Sequence, residues 1–240
     1  MKRMPGMLAW GLCAAALLLT PKEAWAMGKP KHDPSPPRAA PSALPSGPGP
    51  EPGPLSRVSP TSMNITEGKP GLGPGDVLHV NEPRLRAVVL GPHGSDVALR
   101  FTWLGDSSVT TPLASGEMRK QLGIKLRALD GCNVIYAMWR IAPRPGIVVN
   151  YKRNPTLHTS GECGNQGYSV VAPQQQIVVP ALRAGVPHTL HARIEGTQLK
   201  VWADGALVWT GVLPTDALTL LGPGGLRTDN VRATLELFTH

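Results

Sequence analysis

The sequence predicts an all-β fold, an antiparallel sandwich or barrel, and three observations carry that prediction. Short alternating segments rich in Val, Leu and Ile recur between turn signals from Val97 to Phe238. No stretch holds a helical period for three turns. One hairpin is readable outright: Leu199-Lys200-Val201-Trp202-Ala203 runs into Asp204-Gly205, a pair that tolerates positive φ, and Ala206-Leu207-Val208-Trp209 returns from it.

The elements follow in chain order. Lys2 and Arg3 precede an apolar run from Met7 to Leu19, and Ala24-Trp25-Ala26 forms a small-residue cleavage pattern, so residues 1–26 read as a secretory signal peptide. The run is shorter than the roughly 20 residues a membrane-crossing helix needs, and no later segment approaches that length. Leu12 before Cys13 is too bulky for a lipoprotein signal. Residues 27–75 hold half of the 26 prolines, interspersed with Gly, Ser and Ala, and read as a disordered, partly polyproline II linker. The Ala, Gly, Pro and Arg content is that of a GC-rich bacterial genome, which gives the glycosylation pattern Asn64-Ile65-Thr66 little weight. Residues 76–240 are long enough for one domain with a sizeable core.

Within that domain the expected strands are Val97 to Leu104, Leu122 to Leu129, Val134 to Ile141, Gly146 to Tyr151, Tyr168 to Val171, Gln176 to Val179, His188 to Glu195, Leu199 to Ala203, Leu207 to Val212 and Val231 to Phe238. A short helix over Ser115 to Gln121 is the one helical expectation. Removing the signal takes Cys13 away and leaves Cys132 and Cys163 in an exported chain, where a single disulfide is the natural state. Folding Val134–Ile141 back on Gly146–Tyr151 through Pro143-Arg144-Pro145-Gly146 brings the two cysteines near each other. Without the signal, 21 basic residues face 15 acids, a mild net charge of about +6 with no run of five Lys or Arg. Nucleic acid is therefore not an expected partner.

The closing cassette carries a resemblance. A strand ending in Asp204-Gly205, its hairpin partner, then Gly224-Gly225-Leu226-Arg227-Thr228-Asp229-Asn230 before a last strand resembles the end of the concanavalin A-like lectin and glucanase superfamily, in its laminin G-like and keto-disaccharide hydrolase-like bacterial form. The likeness is clear over residues 186–240 and architectural over 76–185. It implies a two-sheet antiparallel jelly-roll sandwich, with ligands on one sheet face or its rim loops, and families of lectins, binding modules, glycosidases, lyases and adhesion domains. It also admits calcium, for which Asp106, Asp130 and Asp229 are the loop acids to test.

Enzymatic chemistry finds no motif. A retaining glycosidase needs two carboxylates flanking one bond at about 5–5.5 Å, yet Glu236 stands alone on the last strand and Asp229 reads as turn chemistry for backbone amides. His188 and His191 fall on opposite faces of a strand, so together they are poor metal ligands. Binding finds more. A two-residue turn at Arg144-Pro145 would pair Tyr136 with Arg153 and Met138 with Tyr151, collecting Tyr136, Arg140, Tyr151 and Arg153 on one face. Trp202 and Trp209 are expected together on the outer face of the second hairpin. Flat aromatics beside forked donors suit sugar rings and their hydroxyls. The expectation is an exported, noncatalytic binder of envelope or extracellular polysaccharide, with a carbohydrate-active enzyme, or an adhesive protein meeting another surface polypeptide, as the alternatives.

Overall fold

The computed structural model describes residues 55–91 and 94–240. The signal peptide and the greater part of the Pro-rich segment lie outside the described residues. Strands β1 (Ser56–Arg57), β2 (Met63–Glu67) and β3 (Gly71–Gly73) come before the long β4 (Val77–Val89). Strand β1 pairs with the last strand, and both β2 and β3 pair with β4, so the part of the expected linker from Ser56 onward belongs to the folded domain. The reason is local: among the prolines and glycines stand Val58 and Met63, which bury on the sheet, and Ile65, which packs against its core.

Ten further strands follow at the positions the alternation marks. They are β5 (Asp96–Asp106), β6 (Lys120–Leu126), β7 (Val134–Ala142), β8 (Gly146–Lys152), β9 (Tyr168–Val170), β10 (Gln175–Gln176), β11 (Pro187–Glu195), β12 (Gln198–Ala203), β13 (Ala206–Val212) and β14 (Gly225–Thr239). The helix expected over Ser115–Gln121 is absent, because Lys120 and Gln121 open β6. Two one-turn helices, Ser160–Cys163 and Thr215–Leu218, sit in connections. Among the described residues no helix is long and apolar enough to cross a membrane.

The strands are antiparallel and run β10-β13-β12-β11-β5-β14-β6-β7-β8-β9, with β14 as the seam. Its first half, Gly225–Asp229, pairs with β6; its second half, from Val231, pairs with β5; and β4 lies along its other edge. Asn230 falls between the two ladders with φ 54°. Its amide there accepts from Thr111 N (2.8 Å) and donates to the carbonyls of Thr111 (2.8 Å) and Arg119 (2.9 Å). Asn tolerates this left-handed backbone, and the sheet splits at the point it creates. Pro83 stands opposite it in β4, where a missing N–H costs no ladder bond. The stretch Asn81-Glu82-Pro83-Arg84 therefore folds as mid-strand. Likewise Gly225–Asn230, expected as a loop, is the start of β14.

Splitting at β14 curls the sheet into two layers whose inner faces share one core. Leu122, Ile124, Leu126, Ile135, Ala137 and Trp139 come from one layer, and Leu99, Phe101, Leu190, Ala192, Leu199 and Val201 from the other. Trp139 meets Phe101 edge-on at 5.8 Å across the layers. The result is the all-β sandwich the alternation predicts.

Candidate functional site

Alternation decides which residues leave the core. In β6 the pattern Gln121-Leu122-Gly123-Ile124-Lys125-Leu126 sends Leu122, Ile124 and Leu126 inward and turns Gln121, Gly123 and Lys125 to the opposite face. The ladders add Tyr136, Met138 and Arg140 of β7, Asn150 and Lys152 of β8, Arg227 and Asp229 of β14, and Arg84 and Arg86 of β4. The outer face of a plain sheet is wet, but here Gln121, Lys125, Tyr136, Lys152, Arg86 and Arg227 are each at most 9% exposed. The face is a buried polar floor.

Two segments build its walls. The loop between β5 and β6 is held by Asn230 and by Arg84, whose Nη2 donates to Pro112 O at 2.7 Å. The segment after β8 is held by the expected Cys132–Cys163 disulfide, Cα to Cα 6.0 Å. It carries Tyr168 back to β9, where its ring stacks on Tyr136 at 6.1 Å. Two glycines let the neighbouring strands pack close at the floor: a Cβ on Gly123 would stand 2.3 Å from Ala137 O, and one on Gly225 2.2 Å from Ala87 O.

The electrostatics are lopsided. Asp229, fully buried, accepts from Arg86 Nη2 (2.5 Å), Arg227 Nε (2.9 Å) and Gln121 Nε2 (2.7 Å). Burial pushes its carboxyl up, but Arg227 and Arg86 pull it further the other way, well below the usual carboxylate range. It is thus no turn residue satisfying amides, as the sequence implies, but the anion around which two arginines organise. Arg227 also donates to the Tyr168 hydroxyl (2.9 Å) and lies 4.8 Å over the Tyr136 ring. Lys152 Nζ donates to Gly164 O at 2.8 Å and lies 5.0 Å from the Tyr168 ring centre.

Lys125 differs from all of these. It is 6% exposed, and among the described residues no hydrogen bond or salt bridge reaches its ammonium. Burial, then Arg86 and Arg227, hold its pKa down to about 7. Nearby, Gln121 Oε1, Arg140 Nε and Asn150 Oδ1 are enclosed atoms without a hydrogen-bond partner. Such groups are costly unless something meets them.

The sequence-predicted residues divide. Tyr136 and Arg140 lie on this face, but Tyr151 and Arg153 do not join them. The true register opposes Tyr136 to Asn150 and Ile135 to Tyr151, because the turn spans Ile141 to Pro145 between Arg140 and Gly146. That odd slip turns Tyr151 toward the core, against which it packs, and leaves Arg153 donating to Asn133 Oδ1 at 2.9 Å. Trp202 and Trp209 are also parted. A bulge between Val201 and Trp202 sets Trp209 opposite Val201 in the core, 2% exposed. Trp202 stays on the outer face, stacked at 4.8 Å on His191. His191 and His188 do take opposite faces, the latter beside Trp139 at 5.5 Å.

The three acids put forward for calcium do not converge. Asp106 pairs with Lys120 (2.5 Å), Asp130 with His158 (2.8 Å) and the Asn133 amide, and Asp229 with its arginines. Among the described residues no group of three or more His, Cys, Asp or Glu could hold a metal. The residues sequence reasoning missed, Lys125, Arg227, Arg86, Gln121, Asn150 and Tyr168, left one readable signal. Lys125 sits between Ile124 and Leu126 in an expected strand, where a lone cation marks the face away from the core.

No family model matches the sequence, and neither does any curated protein. Among solved structures the fold is similar to the carbohydrate-binding module CBM66 from Bacillus subtilis, with 15% identity, 74% of this chain and 94% of that chain covered, and a TM-score of 0.52. The Emp46p carbohydrate recognition domain in its metal-free form gives 10% identity, 74% and 87% coverage and a TM-score of 0.46. Galectin LEC-6 of Caenorhabditis elegans gives 12% identity, 76% and 99% coverage and a TM-score of 0.39. The curled antiparallel sheet, its seam at β14 and the likeness to the first of these structures show that the chain has a concanavalin A-like lectin/glucanase-type fold.

Proposed function

We propose that this protein is an exported, noncatalytic carbohydrate-binding module that takes envelope or extracellular polysaccharide on the polar outer face of β6, β7, β8 and β14. The observation that carries the reading is the set of enclosed groups on that floor, Gln121 Oε1, Arg140 Nε and Asn150 Oδ1, that lack partners within the chain. A saccharide offers hydroxyls, each both donor and acceptor, to such groups, and Tyr168 at the rim, 36% exposed, offers a ring face to a pyranose. The solved structure of similar fold from Bacillus subtilis is itself a carbohydrate-binding module. Noncatalytic action is supported by Asp229, whose oxygens are both committed to cations and an amide and whose depressed pKa leaves no proton to donate to a leaving group. Export is supported by the Lys2–Ala26 pattern and by a disulfide suited to an oxidising compartment.

A glycan array on the oxidised protein, followed by calorimetry on the best ligand, tests the reading. Asn150→Leu and Arg140→Met should each weaken binding about tenfold, the usual cost of leaving one partner of a buried hydrogen bond unmade. Undiminished binding in both variants would place the ligand elsewhere, and release of new reducing ends from the bound polymer would make the protein an enzyme.

A further inference from the structure

We infer, resting on the glycan reading above, that the saccharide bound on this face is acidic and that its acid group is received by Lys125.

The charges on the floor point that way. Arg86 and Arg227 already share the carboxylate of Asp229, and Glu67 stands at the edge of the face, 3.6 Å from Arg84 and 3.9 Å from Arg86. Lys152 is satisfied by a carbonyl and a sulfur. Lys125 is left as a buried cation beside two more cations; Glu67 acts on it only as the weakest of these influences, and no carboxylate bonds its ammonium. An uncompensated buried charge is among the costliest features a fold can retain, and a structural lysine would find a carbonyl or carboxylate. A ligand anion supplies what the chain does not.

The ammonium itself is not sealed in: unlike Gln121 Oε1 and Asn150 Oδ1, it is not among the fully enclosed polar atoms of this face. Gly225 stands directly opposite Lys125 on β14, packed close on the β4 backbone, and Val88 beyond it lies against Tyr136 and Met138. Tyr136 lies opposite on β7, and beyond it Asn150 of β8 holds out its unpartnered Oδ1. A sugar ring spanning this row can set a charged oxygen near the ammonium and a hydroxyl near the amide. An acid next to Lys125 gains a charge-assisted hydrogen bond that a neutral sugar cannot make.

The test is calorimetric titration of the full oxidised protein with two matched pairs. One is an oligogalacturonate and its fully methyl-esterified form; the other is a sulfated galactan oligosaccharide and its desulfated form. The expected result is a preference of tenfold or more for the acid over its neutral counterpart in at least one pair, and the pair identifies the acid group as carboxylate or sulfate. In Lys125→Met that preference should fall to about twofold or less, with a cooperative urea unfolding curve of the same variant showing that it is folded. Should Lys125→Met fail to fold, Lys125→Gln gives the same reading. Neutral forms that bind as tightly as acidic ones, or a preference that survives loss of the lysine, would overturn the inference and leave the glycan reading standing. If no saccharide of either kind binds, here or on the array, the glycan reading itself falls.

Discussion

Replacing Lys125 by Met should make the ligand-free protein more stable. The folded environment lowers the lysine pKa from 10.5 to about 7. At about 1.4 kcal/mol per pKa unit, that difference sets a ceiling of about 5 kcal/mol on what the buried charge costs at neutral pH and below. Structural relaxation reduces the figure, and apolar replacements of buried charges gain about 1–4 kcal/mol in practice. For a domain of this size that is a rise in Tm of about 2–4 °C for each kcal/mol. The pH dependence is signed. Between the folded and unfolded pKa values the unfolded chain holds one more proton, so this residue makes stability rise with pH from about 7 toward 10. The Met variant lacks that slope. Urea unfolding of both proteins, disulfide intact, between about pH 6 and about pH 9 should show the variant ahead at the acid end and the gap closing as pH rises. A variant less stable at neutral pH, or a gap that stays constant across the window, would refute the idea that Lys125 is an uncompensated cation.

Two other perturbations separate the parts of the fold. Asp229→Asn removes the anion between Arg86 and Arg227 and should cost about 3–5 kcal/mol, measured by the same unfolding curves. Because that carboxyl is depressed when folded, its contribution should be full above the ordinary Asp range and be lost as pH falls below it, an acid sensitivity that the Asn variant lacks. A loss under about 1 kcal/mol would mean that the arginines are satisfied without it. Trp209→Ala should cost about 3–5 kcal/mol, as for a buried aromatic, whereas Trp202→Ala, which loses a half-buried stack on His191, should cost about 1 kcal/mol. Equal losses in thermal melts would contradict the bulge that parts them.

How much of the site was legible follows from what sets strand register. Period-2 alternation is a local property, so the side of β6 that carries Gln121 and Lys125 could be read along the strand itself. Register across a turn is not local. Reading Arg144-Pro145 as a two-residue turn shifts the β7–β8 pairing by an odd number of residues, and one such slip exchanges the faces of every residue on the strand. Tyr151 and Arg153 left the predicted cluster for that reason, and Asn150 and Lys152 entered it. Trp209 left the other cluster through a single bulge. Arg86 and Arg227 were hidden for a different reason. They meet Asp229 only because β4 and β14 run side by side with partners such as Arg86 and Asp229 some 143 positions apart.

The sequence by itself determined the all-β class, the places of ten strands, the Asp204-Gly205 hairpin and the pairing of Cys132 with Cys163. Each depends on neighbours in the chain, on turn chemistry, or on a hairpin that brings Cys132 and Cys163 near each other. The tertiary structure alone decided where the folded domain begins, that the Gly-Leu-Arg-Thr-Asp-Asn cassette is the strand from which two layers diverge, and that its aspartate anchors a buried cluster of cations. Burial and long-range pairing convert an alternating strand into a floor with charges it cannot satisfy. Neither quantity is carried by any short stretch of sequence.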